Sequence, residues 1–519
     1  MSLVGFGVKN LRCLTDTGIV PIKPITLLVG KNSSGKSTFL RAFPLLRQSV
    51  ESARSSPILW HHKDYVDFGS FDVAVNERAA DPSITFSFAV ELPEHERVGV
   101  GEPSCELSMT LARGDRGTRI SSYDVHIAER TIHMEFEASH RVKGITLDGK
   151  PVALEKDLWL SGPASLIPTL DDVAGQKATY PAYTGFAPNA NLVKDTVLSR
   201  ALRDKLATTY GLNEEPSDFL LSLPVGSSGD MIEKLISFLK FNGVDATSVD
   251  PKSDVLRSFV DLIVMARLPD ILTALDRQVS HYMYRVAYLG PRRAVGTRFH
   301  RLDEVAVSEI HPRSENLASF LASLSEPEMR ELADFTRRHL GFEPAIRIEG
   351  LNAEILVKER HSATYKNIAD VGSGYAELLP LCAAVWLNLG ETGAGRPLTS
   401  LIALEQPELH MHPAYQPKLA RMIVGAREES RRAGYDAAVL VETHSDAVVN
   451  QLGLLIRAGR VSSEDVQILL FDQDPSTRET KVVVTGYQPD GVLRENWPFG
   501  FLIGALDELD DIEDAAAEE

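Results

Sequence analysis

Apolar and polar positions change rhythm several times along this chain. SLVGFGVKNL and GIVPI read as strands near the start, and PITLLVG is an unbroken apolar run ending in glycine. Such a run reads as a strand. KSTFLRAFPLLRQSV then has helical spacing, with Pro44 near its middle as a kink point. From about 84 to 147, SITFSFAVEL, CELSMTLARG, TRISSYDVHIAE, RTIHMEFEAS and HRVKGITLDG alternate with period two between polar turns. That predicts an antiparallel sheet. From about 155 to 340 the pattern is mainly helical, clearest in DMIEKLISFLKF, in EPEMRELADFTRRHL and in the long stretch ending SHYMY, which Pro269 is expected to interrupt. AIRIEG and NAEILVKER predict a hairpin, and from about 368 strands and helices alternate again through TSLIALEQ, AAVLVETH, VQILLFD and ETKVVVTGY. The whole predicts an α/β fold split by a large insertion: an N-terminal lobe at 1–150, a mainly helical insertion at 151–342 and a C-terminal lobe at 343–519.

At 519 residues the chain is long for one simple domain, and 44% hydrophobic with 24% charged residues is ordinary globular composition. No apolar run approaches the roughly 18 residues that span a bilayer, so no membrane partner is expected. MSLVGFGVKNLRCL lacks a basic stretch followed by an apolar core and reads as the start of a fold, not a secretion signal. Cys13, Cys105 and Cys382 are too far apart for a CxxC site and suit a reducing cytoplasm. The formal charge is −18, of which eight acids lie in the closing stretch DELDDIEDAAAEE. This balance disfavours non-specific nucleic-acid binding but leaves room for a local basic groove.

The chemistry begins at residues 30–38, GKNSSGKST, which fit G-x4-G-K-[ST] between the apolar strand and the helix. Gly30, Asn32, Ser33, Ser34 and Gly35 form a loop whose backbone N–H groups can surround phosphate oxygens, aided by the helix N-terminus. Lys36 is placed to reach the β- and γ-phosphates of ATP, Ser37 to ligate Mg²⁺ and Thr38 to contact the α-phosphate. A second strand must bring an acid to the metal. LIALEQPELHMHP supplies Glu405 for it, with Gln406 or Glu408 to polarise the attacking water. His410 and His412 form a conceivable metal pair, although a turn after the strand is the stronger reading. AAVLVETHSDAVVN repeats the design: a strand ends at Glu442-Thr443, and His444 is placed to meet the γ-phosphate or its water.

Together these segments resemble an ATP-binding-cassette-type ATPase head. The glycine-rich turn Gly372-Ser373-Gly374 opens an apolar helix where such heads carry a signature loop, though it departs from LSGGQ. By that resemblance Ser373 and Gly374 contact phosphate from the opposite subunit, with Glu377 near the Gln position. The chain further resembles the overcoming-lysogenization-defect and RecF-like ATPases, in particular a bacterial subgroup of AAA-type ATPases with a C-terminal segment of unknown function. GKNSSGKST, DYVDFGSFDVAV, YLGPRRAV, DVGSGYAELLP, LEQPELHMHP, ETHSD and DGVLRENWPFGF carry this resemblance. In that subgroup the EQPE arrangement is usual. Where cassette ATPases often place a metal-binding Gln, Phe71 and Asp72 stand instead. Arg292 and Arg293 face either nucleotide, a dimer partner or solvent. LLFDQD offers Asp472 and Asp474, but with only about 75 residues after His444 no Toprim nuclease is expected in this chain. The resemblance implies a cytoplasmic Mg²⁺-dependent ATPase, working as a homodimer or higher oligomer in anti-phage defence with a separately encoded nuclease or toxin effector. DNA is a possible partner through RRHL at 337–340 or REESRR at 427–432, and an ATP-binding scaffold is the third reading.

Overall fold

The computed structural model describes residues 3–93, 104–115, 117–153, 157–161, 165–171, 182–183, 197–212, 225–244, 250, 252–291, 297–302, 307–390, 398–474 and 476–494. They form a mixed α/β fold in two compact units. One comprises residues 1–21, 45–62 and 66–284; the other comprises 22–44, 63–65 and 285–519. This division cuts across the three segments read in the sequence, because the P-loop strand groups with the C-terminal strands.

The second unit holds a sheet in the order Thr480–Gly486, Val466–Gln473, Ile25–Gly30, Ala438–Glu442, Leu401–Glu405, Val286–Leu289. The last five strands run parallel, and Thr480–Gly486 pairs antiparallel with its neighbour. Every residue of Ile25–Gly30, Leu401–Glu405 and Ala438–Glu442 is buried. Helices covering both faces of a parallel sheet require that uninterrupted apolar pattern. The helices Ser373–Leu389, Gln416–Arg432 and Asp446–Arg457 contribute Leu379, Met422 and Val449 to the core formed with Leu404 and Val441. Parallel strands direct their C-terminal ends to one edge, where ligands of open α/β sheets bind. Gly30, Glu405 and Glu442 all lie at such ends. The expected hairpin is present as Phe342–Glu349 paired with Asn352–Glu359.

The C-terminal motif is partly described. Gly453, in the helix after His444, meets Gly491 so closely that a Cβ at either position would come within 2.4 Å of the other's carbonyl oxygen. Arg457 Nε donates to the Asp490 carbonyl at 2.9 Å, pinning the same segment. The rest of that motif, the acidic tail, and Arg292 and Arg293 lie outside the described residues.

The first unit contains the expected antiparallel sheet. Its strands are ordered Lys150–Pro151, Val142–Leu147, Arg130–Phe136, Gly117–Ile127, Ser104–Gly114, Ser83–Glu91, Leu3–Leu11, Leu14–Asp16. Alternating burial along Ser104–Gly114 and Gly117–Ile127 matches their period-two sequence. One expectation is corrected here: Pro269 does not interrupt its helix, which runs unbroken over Asp254–Tyr284. A proline inside a helix costs about 3 kcal/mol. Leu268, Ile271 and Leu272 beside it are fully buried, and each such side chain contributes about 1.5–3 kcal/mol, so packing outweighs the lost hydrogen bond. Phe71 serves the core of this unit, packed edge-on to Trp60, and Asp72 pairs with Arg113.

Candidate nucleotide and cation site

The loop Gly30–Gly35 links a buried strand to the helix Lys36–Glu51. Gly30 is obligatory: a Cβ there would sit 2.5 Å from the Phe471 carbonyl oxygen and 2.8 Å from Ser34 Oγ. Gly35 has φ 99° and Ser33 φ 65°, so the loop uses left-handed backbone to turn its amides. Asn32 and Ser33 are exposed at its tip, whereas Ser34, Lys36 and Thr38 are buried. Ser34 Oγ closes the turn onto the Lys31 carbonyl at 2.8 Å. The first turn of the helix carries no acid to offset its positive end. Lys36 Nζ donates to the carbonyls of Gly30 and Lys31 at 2.8 and 2.7 Å. Burial holds its pKa below the ordinary lysine value, with the Glu442 charge opposing.

Two strand-end glutamates stand beside the loop. Glu405 and Glu442 are register partners on adjacent parallel strands, with exposures of 2% and 1%. Their partners differ. Arg41 grips Glu405 with two bonds, Nε to Oε2 at 2.8 Å and Nη2 to Oε1 at 2.5 Å. Tyr288 Oη also donates to Glu405 Oε2, at 2.7 Å. The Glu405 hydrogen bonds and charge hold the Arg41 guanidinium above its ordinary value although burial opposes them. Ser37, expected beside Glu405, donates its hydroxyl to Glu442 Oε1 at 2.8 Å. Gln406 reaches the same oxygen through Nε2 at 3.3 Å, and its backbone N–H donates to the Glu442 carbonyl at 3.0 Å. Gln406 is held at φ 42°, a left-handed turn directly after the strand. Burial, then the neighbouring Glu405 charge, pushes Glu442 up to about 7; Ser37, Lys36 and Gln406 pull the other way.

Glu408 and His444 are also brought together, through backbone. Glu408 Oε1 accepts the His444 N–H at 2.7 Å. Ser445 caps the following helix by accepting the Val448 N–H, and it donates to Gln416 Oε1 at 2.7 Å. Burial and the Lys36 charge hold His444 below the ordinary histidine value, which favours the neutral ring. His412 Nδ1 accepts the Ala414 N–H and caps a short turn, the role weighed against a metal pair with His410. No cluster of three His, Cys, Asp or Glu fit to hold a metal occurs among the described residues.

At the other glycine-rich turn, Gly372 precedes the helix Ser373–Leu389 without a side-chain cap. Among the described residues a Cβ at Gly372 or Gly374 would meet nothing within 4 Å, and neither has left-handed backbone. Packing against the described residues gives no reason for glycine at these two positions.

Residues 1–150 match the family described as AAA ATPase domain. Residues 286–450 match the family described as AAA domain, putative AbiEii toxin, Type IV TA system. Between them these ATPase matches include the P-loop, Glu405, Glu442 and His444. No curated protein matches the chain. Among solved structures, an SMC head bound to the C-winged helix domain of ScpA is similar at TM-score 0.38 and 11% identity, covering 94% of this chain and 98% of that one. The SMC head domain of Thermotoga maritima gives 0.33 and 10%, covering 93% and 98%. The Smc head with an extended coiled coil from Pyrococcus furiosus, bound to the C-terminal domain of ScpA, gives 0.34 and 13%, covering 99% of both chains.

The ATPase motifs named most of this site in advance, but not Arg41, Tyr288 or the place of Glu442. Glu442 carried a signal, an acid at the end of a second fully apolar strand. Tyr288 and Arg41 carried none, because a lone polar residue in a strand or helix shows its partner only in three dimensions.

The residues present fit a nucleotide with a divalent cation. Glu442 Oε2 is buried without a hydrogen-bond partner, on a carboxylate already touching the P-loop serine. A magnesium ion is commonly held by one or two carboxylates plus substrate phosphates, without a full protein cage. When bound with ATP, it would supply positive charge against the phosphate oxygens.

Proposed function

We propose that this chain is a Mg²⁺-dependent ATPase of the cassette and RecF-like type, acting as an ATP-driven dimerisation switch. The observation that carries this reading is the P-loop itself, with Lys36 held on the Gly30 and Lys31 carbonyls and Ser37 on the strand-end carboxylate of Glu442. The loop amides and the unshielded helix N-terminus would bind the phosphates, and Lys36 would exchange its carbonyl partners for phosphate oxygens. Ser37 with a strand-end glutamate would hold the cation. Gln406, at its fixed left-handed turn, orients water but cannot take its proton, while Glu408 fixes the His444 turn from behind. His444, neutral at working pH, is suited to accept or relay a hydrogen bond near the γ-phosphate. Ser373 and Gly374 would complete the site from the opposite subunit. Room left at Gly372 and Gly374 supports a close approach from outside the chain.

The sequence resemblance supports a role in anti-phage defence with a separately encoded effector, and the family description of residues 286–450 as a putative toxin suits that setting. The DNA-binding alternative gains nothing from its candidate segments. Arg337 and Arg338 are paired with Glu343 and Glu429, and Arg427, Arg431 and Arg432 with Asp436, Asp465 and Glu428.

The test is ATP turnover per subunit against protein concentration, with Lys36→Ala and His444→Ala as controls. Specific activity should rise with concentration and vanish in both variants. Measurable ATP binding with no turnover at any concentration would sink the switch and leave a nucleotide-binding scaffold.

A further inference from the structure

The site contains two buried carboxylates where one acid is expected, and the structure assigns them different tasks. Both oxygens of Glu405 are engaged: Arg41 and Tyr288 place three hydrogen bonds on them. The guanidinium also neutralises its charge, in the planar two-point geometry that matches a carboxylate. Glu442 has one oxygen on Ser37 and Gln406 and the other, buried, on nothing. It lies on the strand directly beside the P-loop strand, in register with Leu28, whereas Glu405 is one strand further away. A cation held by Ser37 therefore meets Glu442 first, and it meets a carboxylate with a spare oxygen and no countercharge bonded to it.

We propose that Glu442, not Glu405, is the carboxylate that shares the divalent cation with Ser37, and that Arg41 and Tyr288 withdraw Glu405 into a structural clamp. The inference rests on the nucleotide-site reading above and specifies which residue serves it. A clamped Glu405 is then a positioning residue: it holds the helix that starts at the P-loop to the neighbouring strands through Arg41.

The test is binding, not turnover. The affinity of the full chain for a fluorescent mant-ATP is measured in EDTA and in Mg²⁺, and the ratio is the gain due to the cation. Glu442→Gln is expected to cut that gain about tenfold or more, the order lost when a group that tunes a metal site is removed. Its affinity in EDTA should stay equal or improve, since a negative charge near the phosphates has gone. Ser37→Ala should lose the same gain, and Glu405→Gln should keep it. Should Glu442→Gln not fold, Glu442→Asp, which keeps the charge but draws it back, is expected to lower the gain partially. A wild-type gain in Glu442→Gln, or its loss in Glu405→Gln alone, overturns the assignment while leaving the ATPase reading intact. Failure of the wild-type chain to bind mant-ATP with or without Mg²⁺ overturns both.

Discussion

Glu442 should make the protein less stable than it need be, and the penalty should grow with pH. In the folded chain its carboxyl is raised from the ordinary 4.5 to about 7, chiefly by burial at 1% exposure and then by the Glu405 charge. A carboxyl with a raised folded pKa binds its proton more tightly in the native state than in the unfolded one. Its stabilising contribution is therefore complete below pH 4.5 and is lost as pH rises through about 7. At 1.36 kcal/mol per unit, ionising Glu442 costs the native state about 3 kcal/mol once pH is well above 7. Glutamine has nearly the same shape, keeps an acceptor for Ser37 and cannot ionise. Glu442→Gln, in EDTA and without nucleotide, should thus exceed the parent by about 3 kcal/mol at pH 8.5 and by only about 1 kcal/mol at pH 5.5. Urea unfolding read by tryptophan fluorescence would show it, since Trp386 is buried in the core of the same unit. A variant no more stable than the parent at pH 8.5, or an advantage flat with pH, would refute the claim that a strained buried carboxylate sits at this site. The expected result is the trade of stability for a poised charge that functional sites commonly make.

Other consequences can be checked with single variants. Arg41→Met strips the buried Glu405 of its guanidinium partner; since Arg41 itself is 33% exposed, the loss should fall below the about 3–5 kcal/mol of breaking a fully buried pair, and urea unfolding at pH 7.5 would register it. Gly30→Ala forces a Cβ to 2.5 Å from the Phe471 carbonyl, so a loss of about 1–3 kcal/mol should accompany failure to bind mant-ATP. Glu408→Ala removes the acceptor of the His444 amide, with an expected cost of about 1–3 kcal/mol and reduced turnover. Glu408→Gln should recover most of both, unless Glu408 itself takes the proton from water. Gly374→Ala has space within the chain and should be neutral or stabilising by up to about 1 kcal/mol. If Gly374 meets nucleotide from a second subunit, that same variant should nevertheless abolish the rise of specific activity with concentration.

Much of the fold was legible because its signals are local. The period-two runs between 84 and 147 predict strands, and PITLLVG and AAVLVE read as apolar strands, each from a few consecutive residues. GKNSSGKST was legible because its G-x4-G-K-[ST] spacing is contained within nine residues between an apolar run and a helix. Pro269 misled for the converse reason. Its cost is local, but the packing that overrides it comes from residues distant in sequence. The compact units were hidden likewise, since the strand Ile25–Gly30 finds its neighbours more than 400 residues away.

The candidate site shows the same division. Sequence alone determined which residue types are present: a P-loop lysine and serine, acids at the ends of two apolar strands, and a histidine after the second. It pointed to Glu405 for the metal by motif order alone, although each acid ends an equivalent apolar strand. Tertiary structure sets them apart by placing Arg41 and Tyr288 on Glu405 and Ser37 on Glu442. A carboxylate's task depends on which charges and donors surround it once water is excluded, and those neighbours are chosen by packing across the sheet.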